Sequence, residues 1–113
     1  MPPADYVLSL EVGEHIPHAW ERQYLANLHA HNLCGVILSW ARLGQKGARH
    51  VNNHRAGYIT ATFASLGYAL NESLTERLRH GPPVSGLTPL PWMRFTAFAF
   101  DRVVPLAGCA KVG

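Results

Sequence analysis

No apolar run in this chain approaches the roughly 20 residues that a membrane-spanning helix requires. The opening Met-Pro-Pro-Ala-Asp has no basic stretch leading into an apolar one, so no secretory leader is expected. There are only two cysteines, Cys34 and Cys109, and no Cys-x-x-Cys pair. That spacing offers neither a thiolate zinc site nor a dithiol redox motif, and both residues read as free thiols in a reducing, cytoplasmic setting. No serine sits in a Gly-x-Ser-x-Gly elbow, which leaves nucleophilic hydrolase chemistry without support. Charged residues make up only 15%, and the net charge of +3 comes from scattered lysines and arginines. Without a basic stripe, no nucleic-acid footprint is indicated.

What remains is a globular composition. The chain has 113 residues, 48% of them hydrophobic, enough for one domain with its own core. Residues 6–10 and 33–38 are short apolar runs bounded by turn residues, the pattern of strands buried on both faces. Between them Trp20, Tyr24, Leu25 and Leu28 fall on one helical stripe, with His31 and Asn32 as its stop. A helical crossover makes the two strands parallel. Residues 56–66 repeat the helical spacing, and Gly67 reads as a left-handed cap. A short strand is expected at 68–70 and a helical turn at 72–79. Residues 80–91, with four prolines and two glycines, form an irregular connection. Trp92 and Met93 are assigned to the core, and the alternation in 94–104 predicts a last strand.

Two loops carry the chemistry. The first strand leads into Glu11, Glu14 and His15, a Glu-x-x-Glu-His spacing whose oxygen and nitrogen donors suit Mg²⁺, Mn²⁺ or Zn²⁺. A plainer reading has Glu14 capping the next helix and His15 packed in the loop. The second strand leads into residues 41–55, a loop by composition. There Trp40 offers an apolar wall, Gln45 and Asn52 offer hydrogen bonds to a substrate, and His50 offers a base or a further ligand. Both loops leave the carboxyl ends of parallel strands, where open α/β sheets place their ligands.

The segment Asp5-x-Val7-x-Ser9-Leu10-Glu11-Val12-x-Glu14-His15-Ile16-Pro17 resembles the fourth-strand motif of class I S-adenosylmethionine-dependent methyltransferases. Residues 23–31, 33–40, 55–66 and 94–104 follow in that family's order, so the resemblance spans nearly the whole chain but only the second half of the fold. It implies an α/β architecture, a partial Rossmann-like three-layer sandwich with a mostly parallel sheet and an antiparallel last strand. Residues 1–104 would be the carboxyl-terminal half of the domain and 105–113 a disordered tail. It further implies S-adenosylmethionine as methyl donor beside Leu10 and Glu11, and His15 or His50 as the base that deprotonates an unidentified acceptor. Similar Glu-x-x-Glu-His segments hold a divalent metal in small-RNA 2′-O-methyltransferases and in some quinone-biosynthesis O-methyltransferases. By that likeness Glu11, Glu14 and His15 would bind a metal such as Mg²⁺.

The family's glycine-rich turn is absent from these 113 residues, so the chain alone is expected to bind the donor weakly or not at all. The first strand would lie at a sheet edge although its sequence is apolar, which calls for a missing strand layer or a homodimer; a fragment is the favoured reading. The competing function is a non-catalytic α/β module that binds a partner protein. A metal-dependent hydrolase ranks behind both.

Overall fold

A computed structural model describes residues 2–81 and 93–110. Trp92, the side chain of Met93 and most of the proline-rich connection lie outside the described residues. Among the described residues, four strands form one mixed sheet: β1 (Ala4–Ser9), β2 (Asn32–Ser39), β3 (Tyr68–Leu70) and β4 (Ala97–Arg102). Their order is β1-β2-β4-β3. β1 and β2 are parallel neighbours, and β4 runs antiparallel to both β2 and β3. The adjacency and directions expected from the helical crossover and the antiparallel last strand are therefore present.

Among the described residues, four α-helices accompany the sheet: α1 (Glu21–Ala30), α2 (Ala56–Ser65), α3 (Glu72–His80) and the single turn α4 (Met93–Thr96). Leu25 and Leu28 of α1 and Ile59 and Phe63 of α2 form one core with Val36, Leu38, Phe98 and Phe100. The alternation along β2 and β4 places those four sheet residues on a common face. Gly67 takes φ +97° between α2 and β3, the left-handed conformation expected of it. α3 is capped by Asn71, whose Oδ1 accepts from the Leu74 amide at 2.9 Å. Its acidic first turn (Glu72) and basic last turn (Arg77, Arg79, His80) suit the helix dipole.

Several expectations need correction. Trp20 is exposed and precedes α1; the buried side of that helix is Glu21, Leu25 and Leu28. β1 is not covered on both faces, since Ser9 alone of its residues is buried and Leu8 is 64% exposed. As expected, it is the edge of this sheet. The last strand begins at Ala97, not at 94, because residues 93–96 turn helical and leave Phe95 exposed beneath the Arg42 guanidinium. Val103 and Val104 lie beyond the strand and are exposed.

The cysteines are not free thiols. Cys34 and Cys109 form a disulfide across 75 residues, with Cα atoms 5.3 Å apart. This removes the basis on which a reducing compartment was inferred. It also anchors the segment after β4, expected to be a disordered tail. The Leu106 amide donates to the Leu33 carbonyl at 2.9 Å, and the Ala110 amide reaches the Asp5 carboxylate at 3.3 Å. Residues 105–110 are thus tied to the β1–β2 end of the sheet.

Candidate functional site

Both loops that leave the carboxyl ends of β1 and β2 are held by internal bonds. Glu11 sits at φ +58°, and its amide donates to Ser39 Oγ at 2.7 Å, which ties the two strand ends together. A short 3₁₀ turn follows at Gly13–His15. Gly13 lies flat on the Trp40 indole, where a Cβ would come within 2.5 Å of the ring. The second loop folds back across this turn. The amides of Val51 and Asn52 both donate to the Glu14 carbonyl, at 2.8 and 3.0 Å.

This arrangement brings Glu14, His15 and His50 together. Each offers one ligand atom, and the three atoms lie within 4.8 Å of one another. Glu14 is fully buried, and neither of its carboxylate oxygens is hydrogen-bonded to another residue. It caps no helix. Burial pushes its pKa above the ordinary glutamate value; its own amide pulls it down, the Glu11 charge pushes it up, and His15 and His50 oppose the rise. His15 Nδ1 lies 3.0 Å from the Arg49 carbonyl, leaving Nε2 for another partner. His50 Nδ1 faces the Gln45 carbonyl at 3.4 Å, and its ring meets that of His15 edge-on at 5.0 Å.

The other sequence-derived candidates lie differently. His50 takes the third place that Glu11 was expected to fill, and Glu11 acts on Glu14 through its charge. Leu10 and Glu11 are half-buried at the strand end. Trp40 and Asn52 turn inward: both are buried, and the Trp40 indole N–H donates to the Asn52 carbonyl at 2.7 Å. Gln45 is half-buried and shapes its own loop, accepting from the Arg42 amide at 3.4 Å and, through its carbonyl, from Asn53 at 2.9 Å. These three residues build the wall that positions His50, and their polar atoms are largely committed within the protein.

Sequence reasoning missed a second cluster beside the first. Glu21 at the start of α1 is buried, and its carboxylate accepts from Asn52 Nδ2 at 2.8 Å and from the Tyr58 hydroxyl. His54 Nε2 is bonded to the same carboxylate at 2.6 Å. Burial alone would raise the Glu21 pKa, but the bonds from Tyr58, Asn52 and His54, with the His54 charge, bring it below the ordinary value. The one sequence signal was His18 and Glu21 at positions three apart, ahead of a loop that carries His50 and His54.

Comparison of the chain with protein-family models, with curated proteins and with solved structures found no significant match. Among the described residues, no helix is long and apolar enough to cross a membrane.

Proposed function

We propose that this chain is the acceptor-side half of a class I methyl-transfer domain, with Glu14, His15 and His50 as a divalent-metal centre beside the acceptor. One observation carries the metal assignment: a fully buried carboxylate, hydrogen-bonded to no other residue, faces two imidazoles. An unpartnered buried carboxylate costs several kcal/mol unless it is protonated or neutralised by a cation. The donor set fits a cation, and the bond from His15 Nδ1 to a main-chain carbonyl is the outer contact that metal-ligating histidines usually make. Two imidazoles and one carboxylate favour Mn²⁺ or Zn²⁺ over Mg²⁺.

The methyl-transfer class rests on the resemblance of residues 5–17 and is supported by the mixed sheet with its antiparallel last strand. On this reading the domain's complete form is the three-layer, Rossmann-like sandwich, and the open edge of β1 is where the donor-binding half pairs. When bound, the metal would lower the pKa of an acceptor hydroxyl and fix its oxygen for in-line attack on the donor methyl. Glu14 supplies the negative charge, while His15 and His50 are held by the carbonyls of Arg49 and Gln45. Leu10 and Glu11 stand at the strand end, on the side where the donor would lie.

Mn²⁺ titration of the chain and of its Glu14→Gln variant tests the centre, with one equivalent expected to be lost in the variant. Methyl transfer from labelled S-adenosylmethionine by the natural protein that carries this chain tests the class. Activity is expected to fall on chelation and to return with Mn²⁺. Turnover indifferent both to chelator and to Glu14→Gln removes the proposal.

A further inference from the structure

The geometry points to a second transition-metal site, formed by His18 Nδ1, the Glu21 carboxylate and His54 Nε2. It does not rest on the methyl-transfer reading. The three ligand atoms lie within 4.8 Å of one another. His54 Nε2 is 2.6 Å from Glu21 Oε1, and His18 Nδ1 is 3.8 Å from the same oxygen. Tetrahedral Zn²⁺, with bonds of about 2.0–2.1 Å, separates its ligand atoms by roughly 3.4 Å. The first pair therefore needs to open by less than about 1 Å, and the second is close to the required spacing.

The surroundings already fix two ligands. The His54 ring stacks on Tyr58, with centroids 3.8 Å apart, and meets Trp40 edge-on at 5.4 Å. Glu21 is oriented by Asn52 and Tyr58, which donate to it without occupying all of its lone pairs. Such outer contacts turn metal ligands toward the ion and commonly contribute 10–100-fold in affinity. The third ligand is free to move: the His18 side chain is 75% exposed and makes no short bond to Glu21.

His18, Glu21 and Tyr58 also line a cleft of about 780 Å³ between α1 and α2. A cation held by three protein groups keeps a position open for water or for a donor atom of a molecule in that cleft, the arrangement typical of catalytic zinc sites. Two imidazoles and a carboxylate select a zinc-like ion over Ca²⁺ or Mg²⁺.

A bonding knot of Glu21, His54, Asn52 and Tyr58 could serve the fold without any ion, and His18 separates the two cases because it makes no hydrogen bond in that knot and only approaches Glu21 to 3.8 Å. The probe is Co²⁺, followed by its visible absorption, on a His15→Ala/His50→Ala chain that lacks the first centre. One equivalent is expected to bind. Adding His18→Ala should weaken it at least about tenfold, with an unchanged thermal melt. On the otherwise unaltered chain, His18→Ala should lower the Co²⁺ stoichiometry by one. The proposal is overturned if the folded His15→Ala/His50→Ala chain takes up no Co²⁺, or if His18→Ala leaves affinity and stoichiometry unchanged.

Discussion

Trp40 and Asn52 are joined by an indole N–H that donates to a main-chain carbonyl at 2.7 Å, in the interior of the protein. The bond crosses the loop of residues 41–55 and holds its far end against the end of β2. Asn52 then spends its amide on the Glu14 carbonyl and its side chain on Glu21. One residue thus ties both histidine–carboxylate clusters to the same indole. Trp40→Phe keeps an aromatic ring but strands the Asn52 carbonyl, a loss of about 1–3 kcal/mol. Urea unfolding measures it, and Mn²⁺ affinity should fall in parallel as the loop loosens.

The buried Glu14 carboxylate makes the metal-free fold sensitive to rising pH. Its pKa is raised in the folded state, so the fold prefers the protonated form. That contribution is fully present below the ordinary value of 4.5 and is lost as pH climbs through the raised pKa. In chelator, Glu14→Gln should flatten this decline and leave the protein more stable than the parent at neutral pH. With Mn²⁺ the ranking reverses, because occupancy of this centre stabilises only the parent. Unfolding curves across pH, with and without Mn²⁺, give both readings; parallel curves for the two proteins would contradict the assignment.

Glu21 behaves oppositely. Its pKa is lowered in the folded state by Tyr58, Asn52 and His54, which outweigh burial. The stability it supplies is present above the ordinary value of 4.5 and is lost as pH falls through the depressed pKa. Glu21→Gln should cost about 2 kcal/mol at neutral pH, since bonds to a charged acceptor become bonds to a neutral one. Parent and variant should converge in acid. A constant gap between their unfolding free energies from pH 7 down to the acid limb would show that the charge is irrelevant.

The elements that the sequence made legible are those whose burial repeats locally. β2 and α2 show their periods directly, because Val36 and Leu38, or Ile59 and Phe63, meet the core at the spacing of one strand or one helix. Alternation misled at residues 93–96, where a helical turn sends Phe95 out to Arg42, a partner distant in sequence. β1 has the apolar composition of a central strand, yet Leu8 is exposed, since composition does not encode what lies beyond an edge. In the sequence Gly35 is only one position of the apolar run 33–38. In the sheet it is the gap over which the Tyr6 hydroxyl reaches Asp101 at 2.5 Å, and a Cβ there would strike the Phe100 carbonyl. The Cys34–Cys109 bond and the Glu21–His54 pair join residues 75 and 33 apart, and no local period reports such pairings. Of the first cluster, Glu14 and His15 were visible as one short spacing. His50 was visible only through the rule that both loops share an edge.

The sharpest test of His50 leaves that residue in place. Gly47 lies against its imidazole, and a Cβ at position 47 would overlap Nε2 and the adjoining ring carbons. Gly47 is not among the glycines with positive φ, so its backbone accepts alanine without strain. The side chain is half-buried on a loop, so the ring can swing away from Gln45 without disturbing the core. Gly47→Ala should therefore leave stability within about 1 kcal/mol of the parent. Mn²⁺ affinity should drop at least about tenfold, because the group loses a ligand. His50→Ala should weaken binding to the same extent, and the double variant should be no worse than either single one, since both remove one interaction. Calorimetric titration of the four proteins measures this. Full affinity in Gly47→Ala, or additive losses in the double variant, would place His50 outside the metal centre and leave Glu14 with His15 as its only imidazole.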